Sequence, residues 1–359
     1  MSSAVSGSRK RRLWSKFCLA ILLLLSAIGA CSGLNGAITR FDGFPPPWRQ
    51  RVVSVSLSRG QTIPKIDHGY ILFARHIIIG RSQQEAIYLQ SLADDAVRRP
   101  SFWLKDASIV WVNDSAVSSS NEFFVVGSFA RSADGATINF MTESDVEGHV
   151  HATIDMGTYE PELACVAPDG SIWTFGQDWS AERSDIPYPM LRNYSSKGRL
   201  LGSYLPSESL PPARLNFSTR LHRMGGARGR MFLQCGQQSV GAYIGPVSAW
   251  VEIDLASRTT EVWQVEPPSR SIMTGFALLA KHEVYCSYAA RNSVFVRGIF
   301  KLNLNQSTIA TWEPIPGMVD YVSAAPDSAP AMTVIGADGP SLVYQKIESK
   351  RHIFFWVRP

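Results

Sequence analysis

Once its first 30 residues are set aside, this sequence lacks an excess of either charge. Those residues hold five Lys or Arg side chains and no acidic one, so of the 35 basic residues in the chain 30 remain, against 30 acidic residues. A near-neutral domain lacks the basic surface that holds a nucleic-acid backbone. Nucleic acid is therefore not an expected partner.

The chain also lacks an apolar run of the roughly 20 residues that a membrane-spanning helix needs. Its longest apolar stretch, residues 17–30, has 14 residues and follows a cluster of Arg and Lys side chains. A short apolar stretch behind a basic segment is typical of a secretory signal peptide. We predict that residues 1–30 are a signal peptide and that the protein is exported.

The end of this leader carries a second signal. Cys31 follows Ile28-Gly29-Ala30, which resembles the lipobox of bacterial lipoproteins. The resemblance implies a bacterial protein with lipid on Cys31 and membrane contact through that N-terminal lipid only. Simple cleavage after Ala30, giving a secreted or periplasmic protein, and an uncleaved anchor are the alternatives. The Gly- and Pro-rich residues 31–50 are predicted to be a tether, and residues 51–359 the folded domain.

Cysteine is scarce, with five residues in the chain. Cys18 lies in the leader, and Cys31 is the expected lipid site. The remaining three, Cys165, Cys235 and Cys286, are widely spaced and lie in apolar runs. One disulfide with one free thiol is an open alternative, but we expect three buried small apolar side chains.

Signatures of catalysis are missing as well. The sequence has no G-x-S-x-G nucleophile elbow. Its Gly-rich segment Gly225–Gly229 lacks the Lys-Ser/Thr pair of a phosphate-binding loop and is predicted to be a hairpin end. Catalytic residues are therefore unknown, and an enzyme is not the first expectation.

The clearest pattern that is present is Leu163–Gly176, LACVAPDGSIWTFG. Two runs of β-forming residues flank Pro168-Asp169-Gly170, where Gly accepts the positive φ of a tight turn. Both faces of the second run are apolar, because Ile172 faces one side and Trp173 the other. The stretch predicts a β-hairpin buried on both faces.

Weaker copies of this unit recur along the chain. Turns are predicted in two interleaved series about 50 residues apart, so each repeat contains two hairpins and four strands. This period is typical of a β-propeller blade. The first series lies near Asn121, Asp169, Gly229, Lys281 and Asp327, and the second near Gly148, Gly198, Ser257 and Asn305.

The spacing and the phrase Ala167–Trp173 resemble six-bladed propellers of the NHL, TolB-like and strictosidine-synthase-like families over residues 51–359. The resemblance implies an all-β fold, a β-propeller of six four-stranded blades. Because an open ring would expose strand edges, we predict that Val52–Leu57 pairs with His352–Val357, so that both termini close it. A two-domain β-sandwich is the competing fold. Gln83–Val97 fits a strand or a short helix.

One candidate metal site is the H-x-H pair His149 and His151. On a strand their rings would lie on one face, about 7 Å apart. Two imidazoles placed so can share a metal ion with a third ligand, and Asp145 and Glu147 are near in sequence. A polar edge strand is the alternative interpretation.

A second metal site follows only from resemblance. Lactonase and gluconolactonase propellers hold a divalent cation at the central axis with a carboxylate and Asn side chains from different blades. The candidates for this role here are Glu162, Asn193, Asn292 and Asp320. No motif selects them, and no other cofactor is expected.

The favoured function is a monomeric, non-catalytic propeller that binds a protein, peptide or glycan. Loops at blade ends are the natural binding surface. The predicted connections 177–189 and 207–218 offer Trp179, Tyr188 and Phe217 as ligand-binding residues. The alternatives are a metal-dependent, lactonase-like hydrolase acting in the central channel and a structural member of an envelope complex.

Overall fold

Strands make up nearly all of the regular secondary structure in the described residues. The computed structural model describes residues 49–54, 64–74, 78–79, 87–94, 96–100, 104, 106–183, 186–210, 231–245, 248–265, 271–290, 295–304, 309–322, 332–348 and 351–359. These residues form 25 strands in five sheets. In the part of the chain so described, no helix is long and apolar enough to cross a membrane.

The first three sheets follow one another along the chain. The first contains β2 (Lys65–Asp67), β3 (Tyr70–Ala74), β5 (Ile87–Ser91) and β6 (Val97–Arg98). The second contains β7 (Ala107–Val117), β8 (Glu122–Arg131), β9 (Thr137–Asp145) and β10 (Val150–Asp155), with the short β4 (Ile78–Ile79) on the free side of β7. The third contains β11 (Tyr159–Val166), β12 (Ile172–Asp178), β13 (Pro189–Tyr194) and β14 (Leu200–Pro206). A helix, Trp179–Arg183, follows β12, and a 3₁₀ turn, Ser207–Ser209, follows β14.

The fourth sheet has eight strands in two antiparallel halves. One half contains β15 (Met231–Cys235), β16 (Ser239–Ile244), β17 (Ala249–Asp254) and β18 (Thr260–Val265). The other contains β19 (Ser271–Ala280), β20 (Glu283–Ala290), β21 (Phe295–Asn303) and β22 (Ile309–Val322). The halves meet where β18 and β22 pair in parallel, with Gln264 opposite Ile309 and Val265 opposite Ala310.

The fifth sheet joins the two ends of the described chain. It contains β23 (Met332–Asp338), β24 (Ser341–Glu348), β25 (Arg351–Val357) and β1 (Arg49–Ser54). The pairing of β1 with β25 places Val52 opposite Ile353. The predicted closure by both termini is therefore present, with the first strand starting three residues earlier than predicted.

The fold is a β-propeller because the first strands of successive repeats form a closed ring. Strand β11 lies against β7 and β15, β19 lies against β15 and β23, and β2 lies against β23. A hydrogen bond from the Val117 amide to Asp67 closes the ring between β7 and β2. The predicted all-β propeller is confirmed, and the two-domain sandwich is wrong.

The hairpin predicted for Leu163–Gly176 has the expected geometry. Strands β11 and β12 pair around the turn at Pro168-Asp169-Gly170, where Gly170 has φ +78°. The Asp169 carboxylate accepts hydrogen bonds from the amide and hydroxyl of Ser171, which fix the turn. Both faces of β12 are buried, since Ile172 and Trp173 are fully inaccessible.

The sheet division differs from the predicted six four-stranded blades. Three sheets have four strands, one has five and one has eight. The ambiguous segment 83–97 contains strand β5 rather than a helix. The third predicted turn of the first series, near Gly229, lies outside the described residues, and the structure joins β15 to β16 at residues 236–238. The predicted turns at Asn305 and Asp327 also lie outside the described residues.

Candidate functional site

A cavity of about 290 Å³ lies at the axis of the propeller. We call it the axial cavity, and it is lined by residues of the six strands that form the inner ring, β2, β7, β11, β15, β19 and β23. Its volume is near the lower end of the range for small-ligand pockets, about 300–1,000 Å³. A cavity bordered by every repeat is a site that only ring closure creates.

Lys65 ties three repeats together at the rim of this cavity. Its Nζ atom lies 2.7 Å from Oδ2 of Asp114 on β7 and donates at 2.7 Å to the carbonyl oxygen of Ala164 on β11. The same Asp114 oxygen accepts the amide of Ala164 at 3.0 Å. The ion pair is partly shielded, with side-chain exposures of 23% for Lys65 and 13% for Asp114. It therefore serves as a cross-link between β2, β7 and β11.

A carboxylate–imidazole pair, Asp67 and His68, lies at the end of β2. Asp67 Oδ1 is 2.7 Å from Nδ1 of His68, and Asp67 Oδ2 accepts the amide of Val117 at 3.1 Å. Burial acts to lower the pKa of His68, but the hydrogen bond and the negative charge of Asp67 outweigh it, so the pKa lies above its ordinary value. His68 also has φ +37° and precedes Gly69 at φ +81°, as a tight hairpin turn requires.

A disulfide forms part of the cavity wall. Cys165 at the end of β11 is bonded to Cys235 at the end of β15, and both residues line the axial cavity. Cys286 is a buried free cysteine. The expectation of three unpaired cysteines is therefore wrong, and the alternative of one disulfide with one free thiol is confirmed.

The rest of the lining combines one carboxylate and one amide with apolar side chains. Asp338 accepts a hydrogen bond from the indole nitrogen of Trp356 at 2.8 Å on Oδ2. Gln234 is held by the Leu278 amide, which donates to its Oε1 at 2.7 Å. The apolar part of the lining comes from Ile66, Leu163, Met231, Phe232, Leu233, Phe276, Val334 and Ile335.

The structure places His149 and His151 at the outer edge of the second sheet. His149 precedes β10 and His151 lies on it, and both side chains are exposed. His149 Nδ1 lies 2.7 Å from Oδ2 of Asp145, and this hydrogen bond raises the pKa of the imidazole. Because metals bind the neutral ring, protonation of His149 would compete with metal binding.

The predicted metal ligands are not brought together. Glu162 lies on β11, on a different sheet from His149 and His151. Asn193 lies on β13, two strands out from the inner ring, and is buried against the middle of its sheet. Asp320 lies on β22, also away from the ring, and Asn292 is outside the described residues. Among the residues that the structure describes, no three His, Cys, Asp or Glu side chains lie close enough to hold a metal ion.

The predicted ligand-binding residues have different surroundings from one another. Trp179 is half-buried and donates its indole N–H to Oε2 of Glu160 at 2.6 Å. Tyr188 is buried in the hydrophobic core that the third sheet shares with the β15–β18 half of the fourth sheet, so it does not contribute to an exposed loop surface. Phe217 lies outside the described residues.

Sequence reasoning missed the axial cavity, although one signal was available. Cys165 precedes the turn at 168–170, and Cys235 precedes the turn at 236–238. The two cysteines therefore occupy equivalent positions at the ends of adjacent inner strands. Predicting the third turn at the Gly225–Gly229 segment concealed that equivalence, because it placed Cys235 on the second strand of the hairpin instead of the first.

The ring of inner strands around an axial cavity defines the class of protein, a β-propeller. No protein-family model and no curated protein matches the sequence. Among solved structures, U3-55K is similar with a TM-score of 0.46 and 8% identity over 87% of this chain and 100% of the other. The PQQ-bound aldose sugar dehydrogenase of Streptomyces coelicolor gives a TM-score of 0.44 and 11% identity over 87% of this chain and 99% of the other.

A third similar structure, named as a gluconolactonase candidate, gives a TM-score of 0.43 and 12% identity over 90% of this chain and 96% of the other. TM-scores and sequence identities at this level say nothing about the activity of this protein. The assignment to the propeller class rests on the closed ring of inner strands in this protein.

Proposed function

We propose that this protein is an exported propeller of six four-stranded blades that acts as a binding module, with the axial cavity as its binding site. The cavity itself is the observation that carries the proposal. It is concave and combines apolar side chains with several polar groups, as small-ligand sites do. The ligand is a small molecule or the protruding part of a peptide, protein or glycan.

Six blades follow from treating the eight-stranded sheet as two blades. Each half of that sheet is a complete four-stranded antiparallel unit, and within the described segments two residue pairs join their outer strands. The short β4 similarly adds two residue pairs to an otherwise four-stranded sheet. On this count the ring strands β2, β7, β11, β15, β19 and β23 each begin one blade.

Metal-dependent hydrolysis is the alternative function, but no described set of side chains supports it. The residues suggested for a cation at the axis lie on β11, β13 and β22 or outside the described segments. The polar groups that do border the cavity are held in an ion pair, a carboxylate–imidazole pair and single hydrogen bonds. Binding is therefore the function that we propose.

Blocking the cavity tests this function. Ala337 lines the axial cavity, and Ala337→Phe should fill part of it, whereas Ala256→Phe places the same side chain on an exposed turn. We expect ligands found in a fragment, peptide and glycan screen to lose at least about tenfold in affinity with Ala337→Phe only, because bulk displaces the ligand. Isothermal titration measures the affinities, and thermal unfolding verifies that both variants are folded. Ligands that bind both variants equally well would place the binding site elsewhere.

Export and lipid attachment are the remaining parts of the proposal. The Cys165–Cys235 disulfide supports an oxidising compartment, where such bonds persist. The leader supports export, and Cys31 supports a lipid anchor.

Replacing Cys31 tests the anchor. In a bacterial host, Cys31→Ser should abolish incorporation of labelled palmitate and move the protein from the membrane to the soluble fraction, because the acylated side chain is gone. Cys18→Ser is the matched control, since Cys18 lies in the predicted leader and should have no effect. Unchanged membrane association of Cys31→Ser would contradict lipidation.

A further inference from the structure

The axial cavity carries an excess of negative charge. Among the described residues, three carboxylates border it, those of Asp67, Asp114 and Asp338, against one ammonium group, Lys65, and one imidazole, His68. The positive charge of Lys65 offsets the negative charge of Asp114, with which it is paired at 2.7 Å. A protonated His68 would offset only the charge of Asp67. The charge of Asp338 has no basic partner among the described residues that line the cavity. A cation is therefore favoured over an anion even when His68 is protonated.

Two carboxylate oxygens at the cavity are available as acceptors. Asp114 receives both of its hydrogen bonds, from Lys65 and Ala164, on Oδ2, and Asp338 receives the bond from Trp356 on Oδ2. No hydrogen bond within the described part of the chain is donated to Oδ1 of either residue. Neither Oδ1 atom is sealed in the core, so both can accept from a ligand.

The other lining residues favour an aliphatic ligand body. Met231, Phe232, Leu233 and Phe276 form one apolar side of the cavity, beside the disulfide. An aliphatic chain that ends in a charge buries its methylene groups on apolar side chains and keeps its charged end at polar groups. The cavity offers both kinds of surface within about 290 Å³.

We propose that the axial cavity binds an alkylammonium group, either of a free amine or of a lysine side chain in a peptide. The ammonium group donates hydrogen bonds to Asp338 and Asp114, and the aliphatic chain packs on the apolar wall. This proposal rests on the axial cavity being the binding site, and it adds the chemical class of the ligand.

Two matched probe series test the class. Hexylamine, hexanol and hexanoate differ only in their end group, as do acetyl-Gly-Xaa-Gly-amide peptides with Lys, norleucine or Glu at Xaa. Isothermal titration and chemical-shift perturbation at pH 7.5 should give binding of the ammonium member of at least one series, with the neutral and acidic members about tenfold weaker or worse. If hexylamine binds and the Lys peptide does not, the ligand is a free amine. If the Lys peptide binds and hexylamine does not, the ligand is a lysine side chain in a peptide.

A charge-removing variant locates the interaction. Asp338→Asn should lower the affinity for the ammonium probe about tenfold. Asp155→Asn, on an exposed edge strand of the second sheet, should leave that affinity unchanged. Equal effects of the two variants would overturn the assignment to Asp338. Thermal unfolding confirms that both proteins are folded.

The outcomes separate this proposal from the proposed binding function. Tighter binding of hexanol or hexanoate that Ala337→Phe abolishes would overturn the ammonium class but keep the cavity as the binding site. If no probe binds while the broader screen yields a ligand sensitive to Ala337→Phe, the ammonium proposal alone is overturned. If no ligand of any kind is sensitive to Ala337→Phe, both proposals fail.

Discussion

Trp173→Ala is expected to lower the free energy of unfolding by about 3–5 kcal/mol, the cost of truncating a large buried aromatic side chain. Trp173 is fully buried on β12 and packs against Tyr204, with ring centroids 5.0 Å apart. Its indole N–H finds no acceptor among the described residues. The expected loss therefore comes from packing and the resulting cavity, not from a broken hydrogen bond.

Urea denaturation followed by circular dichroism measures this effect. Leu201→Ala is the control, because Leu201 lies on β14 of the same sheet with 46% of its surface exposed. Leu201→Ala should change the free energy of unfolding by no more than about 0.5 kcal/mol. Trp173→Phe should lower the free energy of unfolding less than Trp173→Ala does, since it keeps an aromatic ring and loses no hydrogen bond. A loss of less than about 1 kcal/mol for Trp173→Ala would contradict the buried position of this side chain.

Removing the Cys165–Cys235 disulfide is expected to lower the free energy of unfolding by about 4 kcal/mol. The bond closes a loop with a sequence separation of 70 residues, and the chain-entropy model assigns that stabilisation to a loop of this length. The Cys165→Ala/Cys235→Ala double variant, measured by urea denaturation, should show the full loss. Adding a thiol reductant should destabilise the wild-type protein by a similar amount and leave the double variant unchanged.

Cys286→Ala is the matched control for this experiment. Cys286 is buried and unpaired, so its replacement leaves the disulfide intact and should preserve the sensitivity to reductant. Mass spectrometry of a non-reduced digest should show the peptides of Cys165 and Cys235 linked. A linkage that includes Cys286, or stability that is independent of the reductant, would contradict the assignment.

The hairpins could be predicted from the sequence because their determinants are local. Gly170, Gly148 and Gly198 all adopt positive φ at predicted turns, a conformation that glycine reaches without a steric cost. The alternation on β12 similarly predicted burial on both faces, and Trp173 is fully buried. Four such strands per repeat were enough to predict the propeller class.

The same local reasoning failed where composition misled it. The Gly225–Gly229 segment contains more glycine than residues 236–238, yet the latter join β15 to β16. The parallel contact of β18 with β22 had no local signal, because the pairing joins residues 45 positions apart in the chain, such as Gln264 and Ile309.

By itself, the sequence determined the strands, their turns and the repeating four-strand unit of this protein, since each depends on residues within a few positions of one another. Ring closure decided the rest. It brought Lys65 to Asp114 and Ala164, and Cys165 to Cys235, over separations of 49 to 99 residues. These contacts exist only once every repeat packs on its neighbours, which is why the axial cavity had no signature in any single stretch of the chain.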